Sequence, residues 1–170
     1  MAFQRPNNKR NSFEDDSPFE DNVIQIYRCS KVVKGGRKFS FAALVTVGDR
    51  NGSVGIGYGK ANEVPNAVEK GISEARKSLL KVNLHGRTIP HEVIGRSGAS
   101  KIILVPASPG TGVIAGKKIA PLLHLAGIQD VLTKAHGSTC PKNMLKAGMD
   151  ALAQLRTKEM IAALRGVEIV

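Results

Sequence analysis

Residues Ser53 to Gly59, SVGIGYG, read as a β-strand with two unlike faces. Side chains alternate across a strand, so Val54, Ile56 and Tyr58 share one side while Gly55, Gly57 and Gly59 form the other. A face made only of glycine packs nothing by itself; it implies close approach by another backbone, a helix or a ligand. A helix is expected directly afterwards. Pro65 suits a first helical position, and Val64, Val68, Ile72, Ala75, Leu79 and Val82 recur at helical spacing. Lys70, Arg76, Lys77 and Lys81 fall mostly off that stripe. The GIGYG string is no dinucleotide fingerprint, because its spacing is wrong and no parallel βαβ unit surrounds it.

Two further strands precede this one. Val23 to Val33 is rich in β-branched residues and leads into Lys34-Gly35-Gly36-Arg37-Lys38. Phe39 to Val47 alternates, with Phe39, Phe41, Ala43, Val45 and Val47 on one face, where core packing is favoured for both phenylalanines over stacking on bases. Asp49-Arg50-Asn51-Gly52 reads as a tight hairpin turn. Residues 1–21 are polar and aperiodic and read as a flexible tail, with Phe3, Phe13 and Phe19 available for docking. The first domain is then β-β-β-α over 22–84, followed by a linker at 85–90 within the stretch Asn83 to Pro90.

The second domain, 91–170, reads as β-β-α-β-α with a final short helix, which makes the fold α+β. Its strands are His91 to Arg96 and Ser100 to Ala107, turning at Ser97-Gly98-Ala99, and later Ile128 to Lys134. Helices are expected from Val113 to Ala126 and from Pro141 to Gln154, with Thr157 capping a last one that Gly166 ends. Strand order is left open.

Twenty-five Lys and Arg against fourteen Asp and Glu point to a polyanionic partner. No stretch approaches the roughly 18 apolar residues that span a bilayer, so a membrane surface loses its anchor and nucleic acid remains. Residues 22–90 hold twelve basic and four acidic side chains, which places the main basic face in the first half. Arg28, Lys31, Lys34, Arg37 and Lys38 cluster beside a loop in which Gly35 and Gly36 let phosphates approach the backbone. Cys29 and Cys140 are far apart, and His85, His91, His124 and His136 stand alone, so neither a disulfide, a metal site nor a cofactor is expected. Gly110 to Lys118, GTGVIAGKK, departs from the phosphate-loop pattern: five residues separate Gly110 from Gly116, and Lys118 stands where a magnesium-binding hydroxyl is needed. The bland reading is a turn whose glycines admit a neighbouring chain. No acid–base or nucleophile set has sequence support, so no enzyme is expected.

The strings SKVVKGGRKFSFAALVTVGD, GSVGIGYGKANEVPNAVEKG, PASPGTGVIAG, AGIQDVLTKAHGS and PKNMLKAGMDAL occur in order between about Val23 and Leu155. They closely resemble the family of ribosomal protein S five of the bacterial small subunit. The resemblance implies a double-stranded-RNA-binding-like fold in the first half. For the second it implies a two-layer β-α fold shared with unrelated nucleic-acid proteins and small-molecule kinases, a likeness that does not make it a kinase. It implies binding of 16S ribosomal RNA at the head–body junction through Arg28 to Lys38, and a link of Cys29, Ser30 and Lys31 to spectinomycin sensitivity. It also implies packing against small-subunit proteins four and eight, and a place near protein three on the path by which messenger RNA enters. There the family assists unwinding and influences decoding accuracy. The accuracy contact maps onto Gly112 in the loop Gly110-Thr111-Gly112. Ala120 stands where the family usually has Arg, and Lys117 and Lys118 replace small residues. Cys29 stands for a common Val, and Cys140 for an Asn that would cap the next helix, a change costing about 1 kcal/mol. The acidic stretch at 14–21 lies outside the resemblance. The bacterial cytoplasm and no homo-oligomer are expected. Two rivals make different predictions: a free-standing double-stranded-RNA regulator would not co-sediment with small subunits, and a kinase would bind ATP at Gly110 to Lys118.

Overall fold

A helix covers the glycine face of the third strand, and that contact organises the first half of the chain. The computed structural model describes residues 19–166. Most of the predicted tail, with Phe3 and Phe13, lies outside them. Strands β1 (Glu20–Val33), β2 (Gly36–Gly48) and β3 (Ser53–Ala61) form an antiparallel meander, and helix α1 (Val64–Lys77) returns across it. Ala67, Gly71 and Ala75 of α1 lie against Gly59, Gly57 and Gly55 in turn. Four helical residues rise about 6 Å and two strand residues advance about 6.6 Å, so the two rows keep step. A Cβ on any of the three strand glycines would run into helix backbone.

The predicted apolar stripe of α1 is displaced by this approach. The fully buried line is Ala67, Gly71 and Ala75, while Val68 and Ile72 are half-buried beside it. Only small residues fit where two backbones nearly touch. The helix also stops at Lys77, short of the expected Val82. The Ser78 hydroxyl lies within hydrogen-bond reach of the Ile56, Glu74 and Ala75 carbonyls. The chain then pairs as β4 (Leu80–Lys81) with the outer edge of β3. An edge strand has unpaired donors and acceptors, and two residues at its start are satisfied this way.

The second half contains β5 (Val93–Ser97), β6 (Ser100–Pro106), β7 (Val113–Ile114), α2 (Ala120–Leu125), β8 (Val131–Gly137), α3 (Pro141–Ala153) and α4 (Lys158–Arg165). Its sheet has the order β5-β6-β8-β7, with β7 parallel to β8. The helix expected from Val113 is therefore shorter and starts later. Val113 and Ile114 are drawn onto β8, where the Thr133 hydroxyl donates to the Ile114 carbonyl at 3.1 Å. Helix α3 covers the inner face of this sheet, and Gly95 lets the backbone of Ala147 and Ala151 come close. Thr157 accepts from the Met160 N–H and Gly166, in the left-handed region, ends α4, as the sequence predicts.

One apolar core runs between the halves. Leu44 and Val54 of the first sheet are buried with Ile102, Leu104, Leu122, Leu145 and Leu152 of the second half. The β2–β3 turn docks on the end of α2: the Arg50 N–H donates to the Leu125 carbonyl at 2.9 Å and the Gly52 N–H to Ala126 at 3.1 Å. Those helix-end carbonyls have no partner within α2, so the turn acts as its cap. Between residues 85 and 90, Ile89 is buried and the Arg87 carbonyl accepts from the Gln129 and Asp130 N–H groups.

Candidate nucleic-acid interface

Strand β3 ends at Ala61, opposite Phe41. Past that point β1 and β2 continue as a two-stranded ribbon for roughly 20 Å, at ~3.3 Å per residue, before the Lys34-Gly35 turn closes it. Gly35 has φ 94°, a left-handed backbone that tight hairpins favour, and nothing lies within 4 Å of a Cβ built on Gly35 or Gly36. The backbone at the tip is therefore open to a ligand. Five basic side chains and no acidic one lie between residues 28 and 40.

The register divides these cations. Lys31 opposes Lys38, Val32 opposes Arg37, and Arg28 opposes Phe41. Residues directly opposite share a face, so Lys31 and Lys38 stand on one side, Arg28 and Arg37 on the other, and Lys34 at the tip. Cys29 and Ser30 oppose Ser40 and Phe39. All five predicted cations are thus brought together, but they surround the ribbon instead of lining one side. The opposed pair Lys31–Lys38 disfavours the free ribbon, and a polyanion lying over it relieves that repulsion.

Phe39 corrects the expectation of core packing. It is 47% exposed, because the ribbon has left α1 behind, and the Arg28 guanidinium carbon stands 3.8 Å from its ring centroid. Such a cation–π contact holds the arginine fork in one orientation. Phe41, at the base, is half-buried. Tyr27 lies nearby on the Lys31 side; burial raises its pKa, with smaller contributions from Cys140 and Tyr58. It therefore stays neutral and adds no negative charge beside the cations.

The second predicted site is the loop Gly110 to Ala120. Gly110 and Thr111 are exposed, and Gly112, Lys117 and Ala120 line a cleft of about 710 Å³ between the halves, together with Glu20, Arg50 and His124. The Arg50 guanidinium pairs with Glu20 at 2.6 Å across part of it. Lys118 is turned away from this group and donates to the Thr139 carbonyl at 2.6 Å. It is therefore not placed beside Lys117 to substitute for the arginine absent at Ala120.

Sequence reading missed the residue that shapes this loop. Asp130 is 2% exposed, and its Oδ1 accepts from the backbone N–H groups of Gly110 at 3.0 Å and Gly112 at 2.9 Å. Its Oδ2 makes no hydrogen bond and faces Arg87 Nε at 3.5 Å. The amides that a phosphate loop would aim at a nucleotide are here occupied by the protein's own carboxylate. An aspartate two residues after the apolar Ile128 has no periodicity or spacing that would single it out. Among the described residues no His, Cys, Asp or Glu group is arranged to hold a metal, and no helix is long and apolar enough to cross a membrane.

A two-sheet scaffold with a projecting, cation-studded ribbon defines a protein of the nucleic-acid-binding class, acting by charge and shape. Comparison with known proteins narrows the class. Residues 19–83 match the family described as "Ribosomal protein S5, N-terminal domain", and residues 95–165 match "Ribosomal protein S5, C-terminal domain". The chain is 49% identical to the small ribosomal subunit protein uS5 of Rhodopirellula baltica over 164 residues, covering 94% of this chain and 93% of that one. It is 54% identical to the uS5 protein of Rubrobacter xylanophilus over 153 residues, covering 90% and 76% of the two chains. With the uS5 protein of Syntrophobacter fumaroxidans it is 52% identical over 149 residues, covering 88% and 90%. The chain belongs to the ribosomal protein S5 family, structural and non-enzymatic components of the small ribosomal subunit.

Proposed function

We propose that the chain anchors 16S ribosomal RNA at the head–body junction of the small subunit through Arg28, Lys31, Lys34, Gly35, Gly36, Arg37 and Lys38. The observation that carries this reading is the ribbon itself, which extends past Ala61 with five cations, no acid and an open glycine backbone. Lysines there supply point charge, Arg28 and Arg37 supply planar forks, and the tip glycines admit phosphate oxygens to the main chain. Cys29, Ser30 and Lys31 lie on the two faces just below the tip, where a change alters the local RNA path; this supports the spectinomycin link drawn from the resemblance.

The loop Gly110-Thr111-Gly112 with Lys117 and Ala120 is proposed as the contact with small-subunit protein four, through which decoding accuracy is set. Its support is the exposure of the loop and its tether to Asp130, which presents it in one conformation. Packing with protein eight, a position near protein three, service on the messenger RNA path with strand unwinding, and work in the bacterial cytoplasm complete the reading.

Binding of a 16S ribosomal RNA fragment by the variant Lys34→Ala, Arg37→Ala, Lys38→Ala tests the anchor. Affinity should fall, and the slope of log affinity against log salt should flatten by up to about 2.7, at ~0.9 per lost phosphate contact. Unchanged affinity across salt overturns the assignment. For the accuracy contact, a Gly112→Arg strain should misread more often; normal misreading rates contradict it.

A further inference from the structure

Arg50 is the one described residue other than glycine whose backbone lies in the left-handed region, at φ 56°. A Cβ crowds the chain there, so the conformation destabilises an arginine where it would suit a glycine. The turn around it has no room to relax. The Arg50 N–H donates to the Leu125 carbonyl at 2.9 Å, and Asp49 Oδ1 accepts from the Asn51 and Ser53 N–H groups at 2.8 and 2.9 Å. A Cβ on Gly127 would run into the Arg50 carbonyl. Arg50 is therefore pinned against the end of α2, and its side chain lines the cleft that Gly112 also lines. Backbone strain held in place by its surroundings points to a use for the side chain.

The fold itself makes little use of that side chain. Among the described residues Glu20 is its single partner, at 2.6 Å, and the two side chains are 64% and 55% exposed. An ion pair so exposed contributes little to stability. One terminal nitrogen makes the bond, which leaves the other N–H groups of the planar fork available. The fork shares its cleft with Lys117, and Val113, Pro121, Leu125 and Ile128 supply apolar lining. Such a cleft suits a protein segment that offers a carboxylate beside apolar side chains. Glu20 and Asp21 on the same rim disfavour a polyanion, charged at every nucleotide, more than a segment with one carboxylate.

We propose that Arg50 is a specificity-determining contact of this cleft: Glu20 holds the fork in the free chain, and a carboxylate of the docked protein takes it over. The inference rests on the reading that small-subunit protein four docks on Gly110-Thr111-Gly112, and it adds to that contact a residue from the other half of the chain. The exchange is easy because the Arg50–Glu20 pair is exposed to water. The new pair, covered by the partner, is less screened.

Biolayer interferometry of the full chain on immobilised small-subunit protein four, beside thermal unfolding, tests it. Arg50→Gly removes fork and strain together, so it should bind roughly tenfold more weakly while its melting temperature holds or rises. A melting temperature that falls with the affinity overturns the proposal, since the turn itself would then be lost. Glu20→Gln frees the fork and should keep or tighten binding. Equal loss in Glu20→Gln also overturns it, because the pair would then act by shaping the cleft. Gly112→Arg, measured alongside, reports on the loop contact itself. If it abolishes binding while Arg50→Gly does not, the inference fails and the docking reading stands; if neither variant differs from the unaltered chain, both fail. Weaker binding of a 16S ribosomal RNA fragment by Arg50→Gly, with protein four binding kept, would assign the fork to a phosphate and overturn the proposal.

Discussion

Asp130 accepts a hydrogen bond of 2.9 Å from the backbone N–H of Gly112, and with it holds a glycine loop that no regular element contains. The Gly110 N–H donates to the same oxygen at 3.0 Å, and the loop runs straight into β7. Hydrogen bonds to a charged acceptor contribute about 1.5–3 kcal/mol each, and a buried donor left without one costs a similar amount. Arg87 adds little, because its side chain is 64% exposed and solvent screens the pair.

Asp130→Ala should therefore lower stability by about 3 kcal/mol. A chain of this size loses about 2–4 °C of melting temperature per kcal/mol. Amide hydrogen exchange at Gly110 and Gly112 should accelerate more than in the α1–β3 layer. Uniform exchange in both regions would show that Asp130 does not hold the loop.

Gly57 tests the close approach of helix and strand. Its alanine variant would press a methyl group into the backbone at Gly71, with no flexible side chain to give way. Overpacking typically costs about 1–3 kcal/mol and occasionally more, and this site should reach the upper end. Gly116→Ala, where nothing lies within 4 Å, should leave thermal unfolding unchanged. Equal melting temperatures for the two variants would refute the account of the glycine face.

Asp49 should make the junction sensitive to acid. Burial alone raises its carboxyl pKa, but the N–H groups of Ser53 and Asn51, at 2.9 and 2.8 Å, outweigh burial and leave it lowered. A lowered folded-state pKa means that the carboxylate stabilises the turn above the ordinary carboxylate range. That contribution is lost as pH falls through the lowered value. The gap in melting temperature between the unaltered protein and Asp49→Ala should be constant near neutrality and shrink on acidification. A gap independent of pH down to strongly acid conditions would contradict this.

Cys140 precedes α3 with φ −60° and ψ 120°, a suitable N-cap backbone, yet its side chain makes no cap bond. Cys140→Asn should satisfy a free helix N–H and stabilise the protein by about 1 kcal/mol. The melting temperature should rise by roughly 2–4 °C. A fall would mean that Cys140 has a role other than occupying the cap.

Alternation and charge by themselves determined much of this protein. The two-residue period of Ser53 to Gly59 announced a strand approached closely on one side, and the run from Arg28 to Lys38 announced a cationic tip. Both are local properties, because side-chain direction in a strand and net charge in a turn follow from neighbouring residues. The caps at Thr157 and Gly166 were legible for the same reason.

Tertiary structure decided what sequence spacing leaves open. Phe39 has the same place in the alternation as Val45, yet one is exposed and the other buried, because α1 reaches only one of them. The helix expected from Val113 begins only at Ala120, and Val113 and Ile114 pair instead with β8, next to a loop held by Asp130, eighteen residues from Gly112. Burial and long-range hydrogen bonds depend on which segments meet in space. A one-dimensional pattern carries the preference of each segment but not the neighbour that overrides it.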